Sequence, residues 1–281
     1  LKAPQTITAT DKSIRWYQAN TNKKTNGVAL VIHGLNLRPE KMEAIITILN
    51  DSGIDVLNLF LRGHGCNYSD NVNHATPKLR IETFKTVSYQ VWIEETYRAH
   101  NLAKKRSKQK RVPLFFLGFS LGGLMGADLF AVHLDVHFDR MVLFAPALNL
   151  YSIHYAIKLF SPFPKLVIPS LAPKSYRDNN GTPVAAYNAL FETIEHFRKN
   201  PNSRLNAPTL VFIAKGDELV SYSKLKRLAE NESLDQWKFH RIYKGKDATK
   251  GIMRHLIIDE HAVGETVWKE IQGAMLKHLL Q

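Results

Sequence analysis

The sequence predicts an α/β fold in which a mostly parallel, eight-stranded sheet carries helices on both faces and a helical cap is inserted over one edge. Three observations predict it. Short β-rich apolar runs alternate with longer amphipathic stretches along most of the chain. The runs are apolar at successive positions, as strands covered on both faces must be, and that is the habit of parallel sheets. One interval of about 60 residues then stands where a crossover of about 20 would suffice.

The elements follow in order. Gln5–Gln18 alternates apolar and polar residues and is expected to add an antiparallel hairpin at the sheet edge. The apolar runs are Val28–His33, Asp55–Leu61, Val112–Phe119, Arg140–Ala145, Pro208–Ala214 and Lys238–Tyr243. The helical patterns between them are Pro39–Asp51, Leu79–Leu102, Leu121–Leu134, Ser221–Asn231 and Gly264–Leu280. The long interval follows Ala145. Its first part, Tyr151–Pro173, sets four prolines among Tyr155, Phe160, Phe163 and Ile168. Its second part opens a helix, with Thr182 as N-cap, Pro183 in the first turn and Tyr187, Leu190, Phe191, Ile194 and Phe197 at helical spacing. The expected division is a core of residues 1–147 and 205–281 with a cap insertion at 148–204. The plainer alternative is a decorative insertion with no role at the site.

Composition narrows the function classes. A chain of 281 residues, 44% apolar and 10% aromatic, can bury a large single core, which excludes intrinsic disorder. Uninterrupted apolar stretches reach only about eight residues, against the roughly 18 of a membrane-spanning helix. The single cysteine, Cys66, excludes a disulfide framework and a cysteine-based zinc site. The 38 basic and 25 acidic residues leave a net charge of +13, compatible with anionic lipid, nucleic acid or acidic partners. Six cations crowd Lys104–Arg111. That run immediately precedes a strand, so it belongs at the opposite edge of the sheet from any residue that leaves the strand. It is read as a solvated turn, with contact to an anionic membrane or a partner as the alternative. Leu1 in place of an initiator methionine is read as the trace of a removed upstream segment. Export to the periplasm and residence in the cytoplasm both fit.

The chemistry centres on Gly118-Phe119-Ser120-Leu121-Gly122, a Gly-x-Ser-x-Gly pattern between a strand and a helix. A serine there is forced into an exposed, strained turn, and the flanking glycines make room for it. The bland alternative is an ordinary glycine-rich strand-to-helix turn. A nucleophilic serine needs a base, a group that orients the base, and donors for an oxyanion. Asp217 follows the strand Pro208–Ala214 and so stands at the carboxyl edge with Ser120; Glu218 is the rival carboxylate. Of 12 histidines, His255 precedes the last helix and returns to that edge, with His261 as runner-up. The oxyanion donors are assigned to the backbone N–H groups of Leu121 and, in His33-Gly34-Leu35-Asn36, of Leu35.

These motifs make the chain resemble the α/β-hydrolase superfamily, and within it the monoacylglycerol lipase and lysophospholipase-like serine hydrolases. The matching residues are His33-Gly34-Leu35, Arg62-Gly63-His64-Gly65, Gly118-Phe119-Ser120-Leu121-Gly122-Gly123, Gly216-Asp217 with Val220, and His255 with Asp259. The resemblance implies the α/β-hydrolase fold, a cap after the sixth strand and hydrolysis of carboxylic esters of fatty acids. Two features depart from it. Phe60 stands two residues before Arg62 where an aspartate is usual, and 38 positions separate Asp217 from His255.

The expected reaction is acyl transfer through an acyl-enzyme on Ser120, with His255 as base and Asp217 as its orienter. No metal or organic cofactor is expected, and no nucleic acid partner. The substrate is expected to be a lipid or another acyl ester. The same residues would equally serve a thioesterase, a peptidase or a carbon–carbon bond hydrolase. A non-enzymatic basic binding protein is the rival from another class.

Overall fold

In the computed structural model, residues 6–7, 11–19, 24–68, 76–200 and 203–281 are described. One eight-stranded sheet forms the centre. Its strands are β1 (Thr6–Ile7), β2 (Ile14–Tyr17), β3 (Gly27–Ile32), β4 (Ile54–Leu59), β5 (Leu114–Phe119), β6 (Arg140–Phe144), β9 (Thr209–Ala214) and β10 (Trp237–Ile242). They lie in the order β1-β2-β4-β3-β5-β6-β9-β10. From β4 to β10 every pairing is parallel, and β1–β2 and β2–β4 are antiparallel. The fold is that of the α/β-hydrolases. Every residue of β3, β4, β5 and β9 is buried, as the unbroken apolar runs require of strands covered on both faces.

Two apolar layers cover the sheet. One holds α3 (Tyr89–Lys110), α4 (Leu121–Val132), α5 (Val184–Lys199) and α6 (Tyr222–Asn231). The other holds α1 (Glu43–Asp51), the short α7 (Glu260–Val263) and α8 (Glu265–Leu280). From β3 the chain first moves outward to β4 and then crosses back to β5 on the other side. The strand order therefore reverses between β3 and β5, and a crevice opens where such sheets bind ligands.

Three expectations are corrected. The helical pattern over Leu79–Leu102 is two helices, α2 (Pro77–Phe84) and α3, each opened by its own N-cap, the second of which interrupts the pattern. Thr76 Oγ1 accepts from Leu79 N–H, and Ser88 Oγ accepts from Val91 N–H. The basic run is not a turn. It forms the last turns of α3, which closes with Arg111 in the left-handed region at φ 55°. Lysine and arginine are good helix formers and sit favourably at a helix C-terminus. Arg106 and Lys110 also pair with the buried Asp55 at 2.7 and 2.6 Å. The third correction shifts a helix start. Thr182 lies in the strand β8 (Gly181–Pro183), paired antiparallel with β7 (Val167–Pro169), so α5 begins after Pro183.

Residues 148–204 divide by how they pack. α5 lies against α4 and α3, and Leu190, Phe191, Ile194 and Phe197 are buried in the main apolar layer. Before it come a 3-10 helix at Ser152–Phe160 and the β7–β8 hairpin, which run across the carboxyl edge of the sheet.

Candidate active site

Ser120 joins β5 to α4 with φ 52° and ψ −112°, a conformation that costs an L-residue of order 1–3 kcal/mol. The surrounding bonds hold it there. Its N–H donates to Phe144 O at 2.9 Å, and its carbonyl accepts from Leu124 N–H and Ala147 N–H at 3.1 and 3.0 Å. The glycines are required by close approach. A Cβ on Gly118 would meet Gly123 N at 2.6 Å, and one on Gly122 would run into the Ile32 carbonyl. Leu121 N–H precedes the first hydrogen bond of α4, so it belongs to the unsatisfied donors of a helix start.

The turn after β9 brings up Asp217, and the loop after β10 brings up His255; each is only 4% exposed. His255 Nδ1–H donates to Asp217 Oδ2 at 2.9 Å and lies 3.1 Å from Oδ1. Burial pushes the Asp217 carboxyl up. His255 and the N–H groups of Val220 and Leu219, the latter two at 2.8 Å from Oδ1, outweigh that and hold it below its ordinary value. Asp217 is therefore an anion at neutral pH and fixes the His255 proton on Nδ1. The other ring nitrogen, Nε2, is buried and without a hydrogen-bond partner. Glu218, the rival carboxylate, does not reach the ring: it accepts the backbone N–H groups of Arg254 and His255 at 2.9 and 3.0 Å. His261, the rival base, bonds through Nδ1 to Thr249 Oγ1 at 2.9 Å.

Leu35 lies in the tight turn after β3, closed by Leu37 N–H to Gly34 O at 3.2 Å. Asn36 takes φ 51°, a left-handed conformation that asparagine tolerates better than most residues. Two buried imidazoles support this turn. His33 Nδ1–H donates to Gly34 O while Nε2 accepts Leu61 N–H; His64 Nδ1–H donates to Leu61 O while Nε2 accepts Asn36 N–H at 2.9 Å. Burial holds His33 down to about 3 and His64 down to about 4, so both rings are neutral and both can accept. From the other side, Asn36 Oδ1 accepts Asn179 N–H at 2.8 Å, and Asn36 Nδ2 donates to Asn179 O at 3.0 Å. Asp178 accepts Gly65 N–H and pairs with Arg80. Phe60, standing in for the usual aspartate, is buried with the Arg15 guanidinium 5.0 Å over its ring.

Ser120, His255, Leu35 and Leu121 all line one cavity of about 310 Å³. Its remaining wall is largely apolar, with Leu150, Ile157, Leu190 and Phe191 among the residues that form it, and no aspartate or glutamate among the described residues lines it. A larger surface groove of about 540 Å³ lies between α3 and the end of α4 and includes none of the candidate residues. Among the described residues no three His, Cys, Asp or Glu side chains gather as a metal would require, and no helix is long and apolar enough to cross a membrane.

The stretch crossing the cavity is fixed at both ends. Leu150 pairs with Val220 and Arg177 with Leu37 as isolated β-bridges. Between these ends Ile153, Leu159, Phe163 and Leu171 are exposed, Leu171 to 92%. Sequence reasoning missed Asn179 and the clamp on Asn36, because a contact across 143 positions leaves no local signal. The backbone role of Glu218 had a faint one, its place beside Asp217.

A family model described as serine aminopeptidase, S33, matches residues 23–183, more than half of the chain. No curated protein sequence is similar enough to count as a match. Solved structures are similar in fold. A soluble variant of monoglyceride lipase from Saccharomyces cerevisiae, in complex with a substrate analogue, has a TM-score of 0.73 at 14% identity, covering 98% of this chain and 94% of that one. The monoacylglycerol lipase of Paleococcus ferrophilus has a TM-score of 0.63 at 18% identity, covering 95% and 98%. Est1E from Butyrivibrio proteoclasticus has a TM-score of 0.57 at 16% identity and full coverage of both chains.

Proposed function

The chain belongs to the serine aminopeptidase (S33) family of α/β-hydrolases, and from that premise we propose that it cleaves carboxylic esters of fatty acids, monoacylglycerols or lysophospholipids among them, through an acyl-enzyme on Ser120. The observation that carries this reading is one apolar cavity onto which a strained serine and a carboxylate-paired histidine both open. In the first half-reaction His255 Nε2 takes the Ser120 proton as Oγ bonds to the ester carbonyl carbon. The carbonyl π pair moves onto oxygen, where the Leu35 and Leu121 N–H groups receive it. Asp217 stabilises the imidazolium. Collapse re-forms the carbonyl, the ester C–O bond breaks, and His255 returns its proton to the leaving alcohol. Water then attacks the acyl-enzyme with His255 again as base, releasing the fatty acid and restoring Ser120.

The wall of the cavity supports esters over peptides. An aminopeptide carries an α-ammonium that a binding site must neutralise, and no carboxylate among the described residues lines this cavity. Residues 148–204 supply much of that wall, which supports reading them as a cap that sets acyl specificity. Contact with an anionic membrane is proposed at this cap. Its exposed apolar residues stand with Lys165 and Lys174 on the sheet edge that holds Ser120, whereas Arg106 and Lys110 of the basic run are engaged at the other edge.

A panel of substrates tests the reading. Rates on p-nitrophenyl esters should rise from acetate to medium-length chains, monoacylglycerol should be hydrolysed, and aminoacyl-p-nitroanilides should not. Preference for the anilides over every ester would overturn it.

A further inference from the structure

Glu218 has no place in the reaction just described, yet its side chain makes two bonds to the segment that carries the base. Oε1 accepts Arg254 N–H at 2.9 Å and Oε2 accepts His255 N–H at 3.0 Å. Its own carbonyl accepts a third bond, from His154 Nε2–H of the cap, at 2.8 Å. Both neighbours belong to the same assembly. Asp217 holds the His255 ring, while Leu219 O accepts Tyr151 N–H at 3.0 Å and Val220 pairs with Leu150 at the root of the cap. One short turn thus meets the base through its side chains and the cap through its backbone.

We infer that Glu218 is a positioning residue: its carboxylate clamps the backbone of His255 while its carbonyl seats the cap through His154, so that the base and the cap share one anchor. The inference rests on the acyl-enzyme reading above. The chemistry favours a carboxylate here over any other acceptor. A loop that presents a general base must hold it in hydrogen-bonding reach of the nucleophile, and two N–H groups aimed the same way are best met by a bidentate anion. From the other side of the loop Lys244 Nζ donates to Met253 O at 2.7 Å. The segment 253–255 is therefore held on both backbone polarities, by an anion on its N–H groups and a cation on its carbonyl.

Glu218→Ala and Glu218→Gln test this in the full chain, with a soluble p-nitrophenyl ester as substrate. Alanine removes both acceptors, and glutamine keeps one while turning an amide N–H₂ toward the other N–H. The alanine variant should lose about tenfold in kcat with KM within about twofold, since the Glu218 side chain is not itself among the residues lining the cavity. Glutamine should fall between alanine and wild type. Glu218→Asp, which keeps the anion on a shorter reach, should recover part of the alanine loss in kcat with KM unchanged. Unchanged kcat in the alanine variant, or a rise in KM as large as the fall in kcat, would overturn the inference and leave Glu218 a structural staple. Wild-type enzyme runs beside the variants: if it shows no ester hydrolysis, the acyl-enzyme reading itself fails, which is a different result.

Discussion

Two segments wall the same cavity and are held in different ways. The turn Gly34–Leu37 is buried at its core, carries a left-handed asparagine and is tied by His64 on one side and Asn179 on the other. Tyr151–Pro173 is held largely through its backbone, by the β7–β8 pairing and by Val184 and Ala185 N–H to Leu166 and Pro164 O, and turns large apolar side chains outward. The oxyanion donors of the proposed mechanism must sit within a few tenths of an ångström of a developing charge, which suits a turn bound from several directions. An acyl pocket needs only apolar surface of about the right shape, which a segment with few buried side chains can supply. The difference separates a part that fixes the chemistry from a part free to set the substrate.

Breaking the fixed part should cost most. Asp217→Asn would keep the shape of the pair but leave His255 without an anion to hold its Nδ1 proton, and kcat should fall by about 10³–10⁴. Steady-state kinetics on a short ester checks this, and a loss under tenfold would count against Asp217 as the orienter. Asn36→Gly comes next. Glycine accepts the left-handed backbone but removes both bonds to Asn179, so the Leu35 N–H is placed less well and kcat should drop about 10- to 100-fold with the fold retained. Circular dichroism and kinetics together separate a lost donor from a lost structure.

How far the sequence carried the fold can be seen in particular elements. Apolar runs such as Val28–His33 marked the parallel strands because burial on both faces leaves no polar position. The Gly118–Gly123 motif marked the turn at Ser120 because only glycine permits the close approach of α4. Boundaries were less readable. α3 was cut short because its last turns are basic, and the pairing of Arg106 and Lys110 with Asp55, about 50 positions away, leaves no local signal. Among the site residues, Asp217 is the sequence's choice of carboxylate and its neighbour Glu218 the rival. Only the three-dimensional path of the Arg254–His255 loop assigns the ring to one and the backbone to the other.

The support of the Gly34–Leu37 turn also predicts a pH dependence. His33 and His64 have folded values depressed to about 3 and 4 against 6.5 for an open chain. The unfolded state therefore binds more protons below about 6.5, and stability is full above that pH and is lost as pH falls through the window toward 4. Each ring contributes up to about 1.4 kcal/mol per pH unit there. Denaturant midpoints at pH 7 and pH 5 should show a clear decrease, and equal midpoints would contradict the buried neutral rings. The smallest effect on the fold belongs to the proposed cap. Leu159→Ser with Phe163→Ser, two exposed residues outside the cavity wall, should leave stability within about 0.5 kcal/mol and soluble-ester rates unchanged, while slowing hydrolysis at anionic vesicles. Equal loss on both substrates would mean that the exposed face shapes the pocket and does not contact lipid.

The most direct test of the central claim is to label the protein with a fluorophosphonate probe and locate the adduct by mass spectrometry. The account predicts one stoichiometric adduct, on Ser120, lost in Ser120→Ala and formed far more slowly in Asp217→Asn. Labelling of another residue, or none with and without detergent micelles present, would contradict it.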